Sequence, residues 1–275
     1  MRDIHQQFIE LANSEPNSAE LATAVVLLAA IENPTLKIDQ CHAQLEQLAQ
    51  SARVAIQQVE CTQTRAALLC DFLHEEQKFI GNQQDYYAPS NSHIDKVLEM
   101  RCGIPISLAF LYMYIGDALG WAIAGIGFPG HFLVSVRGKP QALIDPFEGA
   151  PLSEKDCVSL IQRAQGADAV LRAEHLRPLT HKAMLQRMLG NLKQNYLQQA
   201  GWNDALRILN LLVAIDSDTL RLRYERAIAL EKLDCFAAAA QDLREIARTR
   251  PQDSRLVVLQ EKIQQLEDKS PPKLH

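Results

Sequence analysis

The sequence predicts an α+β chain that is mostly helical, with one small antiparallel sheet and an all-helical carboxy-terminal third. Three observations carry that prediction. Apolar residues recur at helical spacing over most of the chain up to Leu119, the period shortens to that of strands between Trp121 and Asp145, and the last third repeats itself at a fixed interval. With 47% hydrophobic and 22% charged residues in a length of 275, the composition is that of a globular chain with room for one large or two modest cores.

The elements follow in order. Ala19 to Ile31 is a dense, Ala-rich apolar run bracketed by Glu20 and Glu32, which predicts a largely buried helix stopped near Asn33-Pro34. Ile38 to Ala49, Ser51 to Glu60 and Thr62 to Phe79 each carry helical spacing, the last with Leu68, Leu69, Phe72, Leu73 and Phe79 on one side. Gly81 to Asn91 is polar and reads as a loop. Ser92 to Met100 is a short helix, interrupted at Arg101-Cys102-Gly103-Ile104-Pro105; the next helix starts at Pro105, where a missing N–H is tolerated, and runs to Leu119 with Gly120 as its terminal glycine. Three antiparallel strands follow, Trp121 to Phe128, Phe132 to Arg137 and Ala142 to Asp145, separated by Pro129-Gly130 and by a Gly138-Lys139-Pro140 turn. Ser153 caps a helix to about Arg163, and a further helical segment ends before Pro178.

At residue 183 the chain changes character, from 14 basic against 21 acidic residues to 14 against 12. Trp202 aligns with Phe236, Ala205 with Ala239, Leu209 with Leu243 and Leu212 with Ile246, each pair 34 residues apart, which is the tetratricopeptide period. The units are 186–219 and 220–253, the second closing at Pro251. Two units are fewer than an independent stack needs, so a helix over 254–268 is expected to close one end and the amino-terminal domain, 1–183, the other. The tail 269–275 is expected to be disordered.

Several function classes are disfavoured. A net charge of −5 gives no nucleic-acid footprint, no apolar run approaches the roughly 18 residues of a membrane span, and the start Met1-Arg2-Asp3-Ile4-His5 does not read as a signal peptide. The expectation is a soluble, cytoplasmic protein. Six scattered cysteines without CxxC spacing signal neither a disulfide framework nor a zinc site; Cys41 and Cys61 alone lie in markedly polar surroundings. With no GxxxxGK[ST] or HExxH string, no cofactor or metal is expected.

Chemistry concentrates between residues 101 and 146. Cys102 precedes a helix, His131 begins a strand and Asp145 ends the next. A helix amino terminus lowers a thiol pKa, an imidazole takes its proton and a carboxylate fixes the imidazole tautomer, so the three form a candidate catalytic set. Arg101-Cys102-Gly103-Ile104-Pro105-Ile106-Ser107-Leu108-Ala109, Phe128-Pro129-Gly130-His131-Phe132, Ile144-Asp145-Pro146-Phe147-Glu148-Gly149 and the later Leu185 to Lys193 string together resemble the SirB1 family, over about residues 60 to 268. The resemblance implies a transglutaminase-like, papain-like domain followed by tetratricopeptide units. It also implies that the nucleophile position, counted back four from Ala109, falls on Pro105, with Cys102 three residues early at a position where the motif requires no cysteine. His131 and Asp145 fall on the positions of the triad's histidine and aspartate. The expected function is therefore a non-catalytic binding or regulatory module with a protein or peptide partner. The alternative is a cysteine-dependent hydrolase or acyl transferase using Cys102, His131 and Asp145.

Other candidates are weaker. Arg101 suits a carboxylate or phosphate, or pairs with Glu99 or Glu148. Tyr86 and Tyr87 either cover the cleft or anchor their loop. Asp145 also suits a cap on the turn into Pro146. Arg221, Arg223, Arg226, Arg244, Arg248, Arg250 and Arg255 form a basic cluster, but interleaved acids such as Glu225 and Asp242 point to a salt-bridged face rather than an acidic-peptide groove.

Overall fold

The computed structural model describes residues 3–216, 218–250 and 256–269. Two compact units, Met1–Met188 and Leu189–His275, divide the chain. In the first, α1 (Ile4–Asn13), which has no counterpart in the sequence expectation, precedes α2 (Ser18–Glu32). Asn17 caps α2 by accepting from Ala19 and Glu20 N–H, and Glu20 reaches back to the Asn17 N–H. Every residue from Ala24 to Ile31 is buried, because α2 is apolar on all sides and lies in the core rather than on it.

The expected pair of helices over 38–49 and 51–60 is one helix, α3 (Ile38–Ala55). Ser51 does not start a new helix; its hydroxyl donates back to the Gln47 carbonyl within the continuous ladder. The expected helix to Phe79 also differs. It is α-helical over α4 (Thr62–Cys70) and then widens to π-type turns over Asp71–Glu76, so the apolar stripe of Phe72 and Leu73 stays buried while the backbone period shifts.

Beyond it, β1 (Ile80–Gly81) pairs in parallel with β2 (Cys102–Gly103), with α5 (Ile94–Met100) between them in the chain. α6 (Pro105–Ala118) starts at the proline, and Gly120 ends it at φ +73°. Almost all of α6 is buried, against α2 to α5 on one side and the sheet on the other. Gly116 permits the closest approach, since a Cβ there would overlap the Ile123 side chain.

The main sheet is an antiparallel meander of β3 (Ile123–Ile126), β4 (Leu133–Val136), β5 (Ala142–Asp145) and β6 (Ala150–Leu152), in that order. The fourth strand was hidden in sequence by its three-residue length and its Pro151. Ser153 caps α7 (Glu154–Gln165) through the Asp156 N–H, and Cys157 and Ile161 bury themselves against Phe128 and Leu133. The segment before Pro178 is a single 3-10 turn, Ala173–Leu176.

α8 (His181–Gln198) contains the boundary between the units, and α9 (Trp202–Ile215), α10 (Leu220–Lys232), α11 (Phe236–Thr249) and α12 (Leu256–Lys269) complete the chain. α9, α10, α11 and α12 pack as successive neighbours. Ala205, Ala227 and Ala239 are buried at the crossings, as close helix approach demands. Pro251, Asp253, Ser254, Arg255 and the tail beyond Lys269 lie outside the described residues; Lys269 itself is helical.

Candidate functional site

The meander aligns two polar residues. β4 and β5 pair with Val134 opposite Ile144, so the turn before β4 and the end of β5 fall at the same edge. There His131 Nε2 lies 2.8 Å from Asp145 Oδ2. The other carboxylate oxygen, Oδ1, accepts from the Phe147 N–H at 2.9 Å and the Glu148 N–H at 3.3 Å, so Asp145 both orients the imidazole and caps its own turn. It is 3% exposed. Behind it lie Cys70 and Tyr112: burial, with the Asp145 charge added, pushes the Cys70 thiol up to about 12 and raises the Tyr112 phenol as well. Both stay protonated, so the dyad rests on a neutral wall.

A second set of hydrogen bonds folds the loop 82–92 over this edge. Asn91, fully buried, donates from Nδ2 to the Asp85 and Tyr86 carbonyls and accepts from Asn82 at Oδ1. Its own carbonyl accepts the Ser107 hydroxyl at 2.6 Å, and Ser107 in turn accepts the Ile104 N–H at the start of α6. The loop is thereby tied to the helix, and Tyr86 packs edge-on to Phe147 at 5.8 Å between ring centroids. Phe147 packs edge-on to His131 at 6.4 Å, and Tyr87 to Tyr86 at 5.3 Å. The aromatic row depends on a missing side chain: a Cβ on Gly81 would stand 2.6 Å from the Phe147 ring. Tyr86 and Tyr87 remain 40% and 58% exposed, so they anchor the loop and still present surface.

Cys102 takes a different position. It lies on β2 opposite Ile80, half-buried, and burial raises its thiol above the ordinary range despite the Gly103 N–H contact. Among the described residues no hydrogen bond joins it to His131, whose Nδ1 has no partner in that set. Pro105 holds the first position of α6. Arg101 ends α5 in a left-handed conformation, φ +55°, with its guanidinium 4.5 Å from the Phe79 ring centroid; it pairs with neither Glu99 nor Glu148.

The cysteine environments differ from expectation at two positions. Cys41 is buried, its thiol pushed up to about 11 by burial and by Asp95, because α3 turns that residue inward; Cys235 is the exposed one alongside Cys61. Sequence reasoning missed Arg187, Phe147, Asn91 and the Cys70–Tyr112 wall. Phe147 and Arg187 lie inside the strings that carry the family resemblance, whereas Cys70 and Tyr112 carry only the signature of core positions. Among the described residues no cluster of His, Cys, Asp and Glu suits a metal ion.

The basic cluster of the second unit is largely ion-paired. Arg226 forks onto Asp242 at 2.7 and 2.6 Å, Arg223 adds a longer contact at 3.6 Å, Arg221 pairs with Glu225, Arg244 with Glu267 and Arg248 with Glu245. Beside it, a groove of about 960 Å³ has an apolar floor of Leu220, Ile246, Leu256 and Leu259 and a rim including Arg221, Arg250 and Lys262.

Comparison with known proteins agrees with this architecture. Residues 39–190 match the model of the Transglutaminase-like superfamily, and residues 192–264 match a Tetratricopeptide repeat model. The chain is similar to the UPF0162 protein of Vibrio cholerae, 27% identical over 270 residues, covering 97% of this chain and all of that one. It is 28% identical to the UPF0162 protein of Xylella fastidiosa over 88% of each. Human F-box only protein 21 shares 37% identity over 130 residues, 44% of this chain and 20% of that protein. No solved structure gives a significant match.

Proposed function

Because this chain belongs to the Transglutaminase-like superfamily, we propose that it uses that domain without its chemistry, as a binding or regulatory module for a protein or peptide partner in the cytoplasm. One observation carries this reading. The histidine and aspartate positions that the resemblance assigns are occupied and hydrogen-bonded, yet Pro105 opens α6, and Cys102, with a raised thiol pKa, makes no hydrogen bond to His131 among the described residues. A thiol needs a lowered pKa and a base within reach to act at neutral pH. The repeat match supports a protein partner. Six unpaired cysteines, and the lack among the described residues of a helix able to cross a membrane, support the compartment.

The dyad itself favours a second reading, a cysteine-dependent hydrolase or acyl transferase with Cys102 as nucleophile, His131 as base and Asp145 as orienter. Labelling Cys102 with iodoacetamide across pH, in wild type and in His131→Ala, separates the two. The binding reading expects a midpoint at or above the ordinary ~8.5, indifferent to His131. A lower midpoint that rises on removing His131 would establish a coupled pair and overturn it.

A further inference from the structure

One neighbour of the dyad carries a charge that nothing offsets. Arg187, on α8 within the first unit, is half-buried. Its Nη2 donates to the His131 carbonyl at 2.7 Å and the Phe128 carbonyl at 3.3 Å, and its Cζ lies 5.5 Å from the Phe132 ring centroid. Nη1 lies against Gly127, where a Cβ would come within 3.0 Å of it. A guanidinium has five N–H donors, and the two carbonyls engage only those of Nη2. Among the described residues no acceptor meets Nε or Nη1, and no carboxylate lies within ion-pair distance. Burial lowers its pKa, while the nearby Tyr86 phenol partly counters the shift, so cation and phenol share one environment. A cation held out of water with no counter-ion is a costly arrangement, and protein structures keep such charges where a partner is supplied.

We propose that Arg187, together with Tyr86 and His131, forms a recognition site for a carboxylate-bearing ligand. The remaining donors, one on Nε and two on Nη1, are each able to give a charge-assisted hydrogen bond to a carboxylate oxygen. Tyr86 and Phe147 offer ring faces and edges to whatever adjoins it, and His131 Nδ1 offers a polar contact to a neighbouring amide. A single cation suits a monoanion, whereas the second charge of a phosphate dianion would find no further cation among the contacts of Arg187. The group has two sources, the terminus of a peptide and a free organic acid. This inference deepens the binding reading above and rests on it.

Calorimetric titration of the full chain with acetyl-Ala-Ala-Phe, as free acid and as carboxy-terminal amide, tests it, with phenylacetate as the organic acid. Wild type should take the acid at least about tenfold more tightly than the amide, the worth of one charge-assisted contact. Arg187→Gln should remove that preference, and Tyr86→Ala should weaken acid and amide alike. Phenylacetate binding as tightly as the peptide acid assigns the site to organic acids; weaker binding assigns it to peptide termini. Equal binding of acid and amide, no binding of the acid at millimolar concentration, or a preference that survives Arg187→Gln overturns the proposal. Should Arg187→Gln fail to fold, by circular dichroism, Arg187→Met serves: it removes the charge and every donor, and a preference that survives there overturns the proposal equally. Mass spectrometry of the recovered peptide keeps the two readings apart. Cleavage would sink the non-catalytic function while leaving an acid preference standing; a lost preference without cleavage sinks the carboxylate site alone.

Discussion

Arg187 of the first unit and the half-buried arginines of the second are treated in opposite ways. In the second, cations meet acids: Arg226 and Arg223 converge on Asp242, and Lys193 with Arg221 converge on Glu225. In the first, Arg187 meets only carbonyls and rings. Neutralised charge is what a load-carrying helical stack needs, because each helix there packs only on its neighbours and an uncompensated ion would open the stack. Charge left without a counter-ion is tolerable only where a rigid frame holds it, and the meander with the largely buried α6 supplies such a frame. The difference separates arginines that maintain a fold from one that awaits a ligand, a distinction that net charge and clustering in sequence would have drawn the other way round.

The largest expected effect tests the paired side of this contrast. Asp242 is 4% exposed and bridges two arginines. Asp242→Ala leaves both cations without their acid and should destabilise the second unit by about 2–4 kcal/mol, reduced from the fully buried case because the arginines keep some solvent access. Hydrogen exchange of α10 and α11 in the full chain reads the loss directly. A change under about 0.5 kcal/mol, the level of an exposed pair, would mean that solvent already screens these ions and that the contrast is one of geometry alone.

A smaller effect follows from Glu225 and sets the pH at which the contrast fades. Burial pushes its carboxyl up, but hydrogen bonds from Lys193 and Arg221 outweigh that and hold it below the usual range. A carboxylate depressed in the folded state contributes stability that is present above the unfolded value near ~4.3 and is lost as pH falls through the folded value. Wild type should therefore lose stability in that acid window, and Glu225→Gln should be less stable than wild type by about 1–2 kcal/mol at neutral pH and converge with it in acid. Parallel acid limbs in the two proteins would show that Lys193 and Arg221 do not use this carboxylate.

How far the sequence alone reaches follows the same division. The repeat was legible because its signal is redundant: Trp202 and Phe236, Ala205 and Ala239, Leu209 and Leu243 each report the same 34-residue geometry. The strands β3 to β5 and the proline start of α6 were legible because period and breakers mark them locally. β6 was too short to show alternation, and the π-type turns after Cys70 leave the apolar pattern intact while changing the backbone. At the site, the spacing of His131 and Asp145 suggested neighbours, and the strand register brings them to 2.8 Å. Arg187 could not be read from its string, because what distinguishes it is the absence of an acid in three dimensions. The Asn91 and Ser107 hydrogen bonds were equally invisible, since each residue type is common in loops and caps and only burial gives it weight.

The smallest effect is the most diagnostic for the unpaired side. Arg187→Met removes a cation that folding takes partly out of water, together with two donated hydrogen bonds and a contact with Phe132. The Phe128 carbonyl keeps the His131 N–H as a donor at 3.0 Å, so the His131 carbonyl is the acceptor left waiting for water. One lost hydrogen bond weakens the fold by roughly 1 kcal/mol, and relief of a desolvated, unpaired charge works in the opposite direction by a similar amount. Methionine fills much of the same volume with an adaptable side chain. The net change in the first unit's stability should therefore stay within about 1 kcal/mol of zero, as read by hydrogen exchange of β3 and β4. Arg226→Met, which leaves Asp242 only the longer Arg223 contact, should cost clearly more. If instead Arg187→Met proves as damaging as Arg226→Met, the guanidinium is a structural brace and the two units handle charge alike. A near-neutral Arg187→Met marks a cation that folding does not require, which is what a charge retained for a ligand looks like in the free protein.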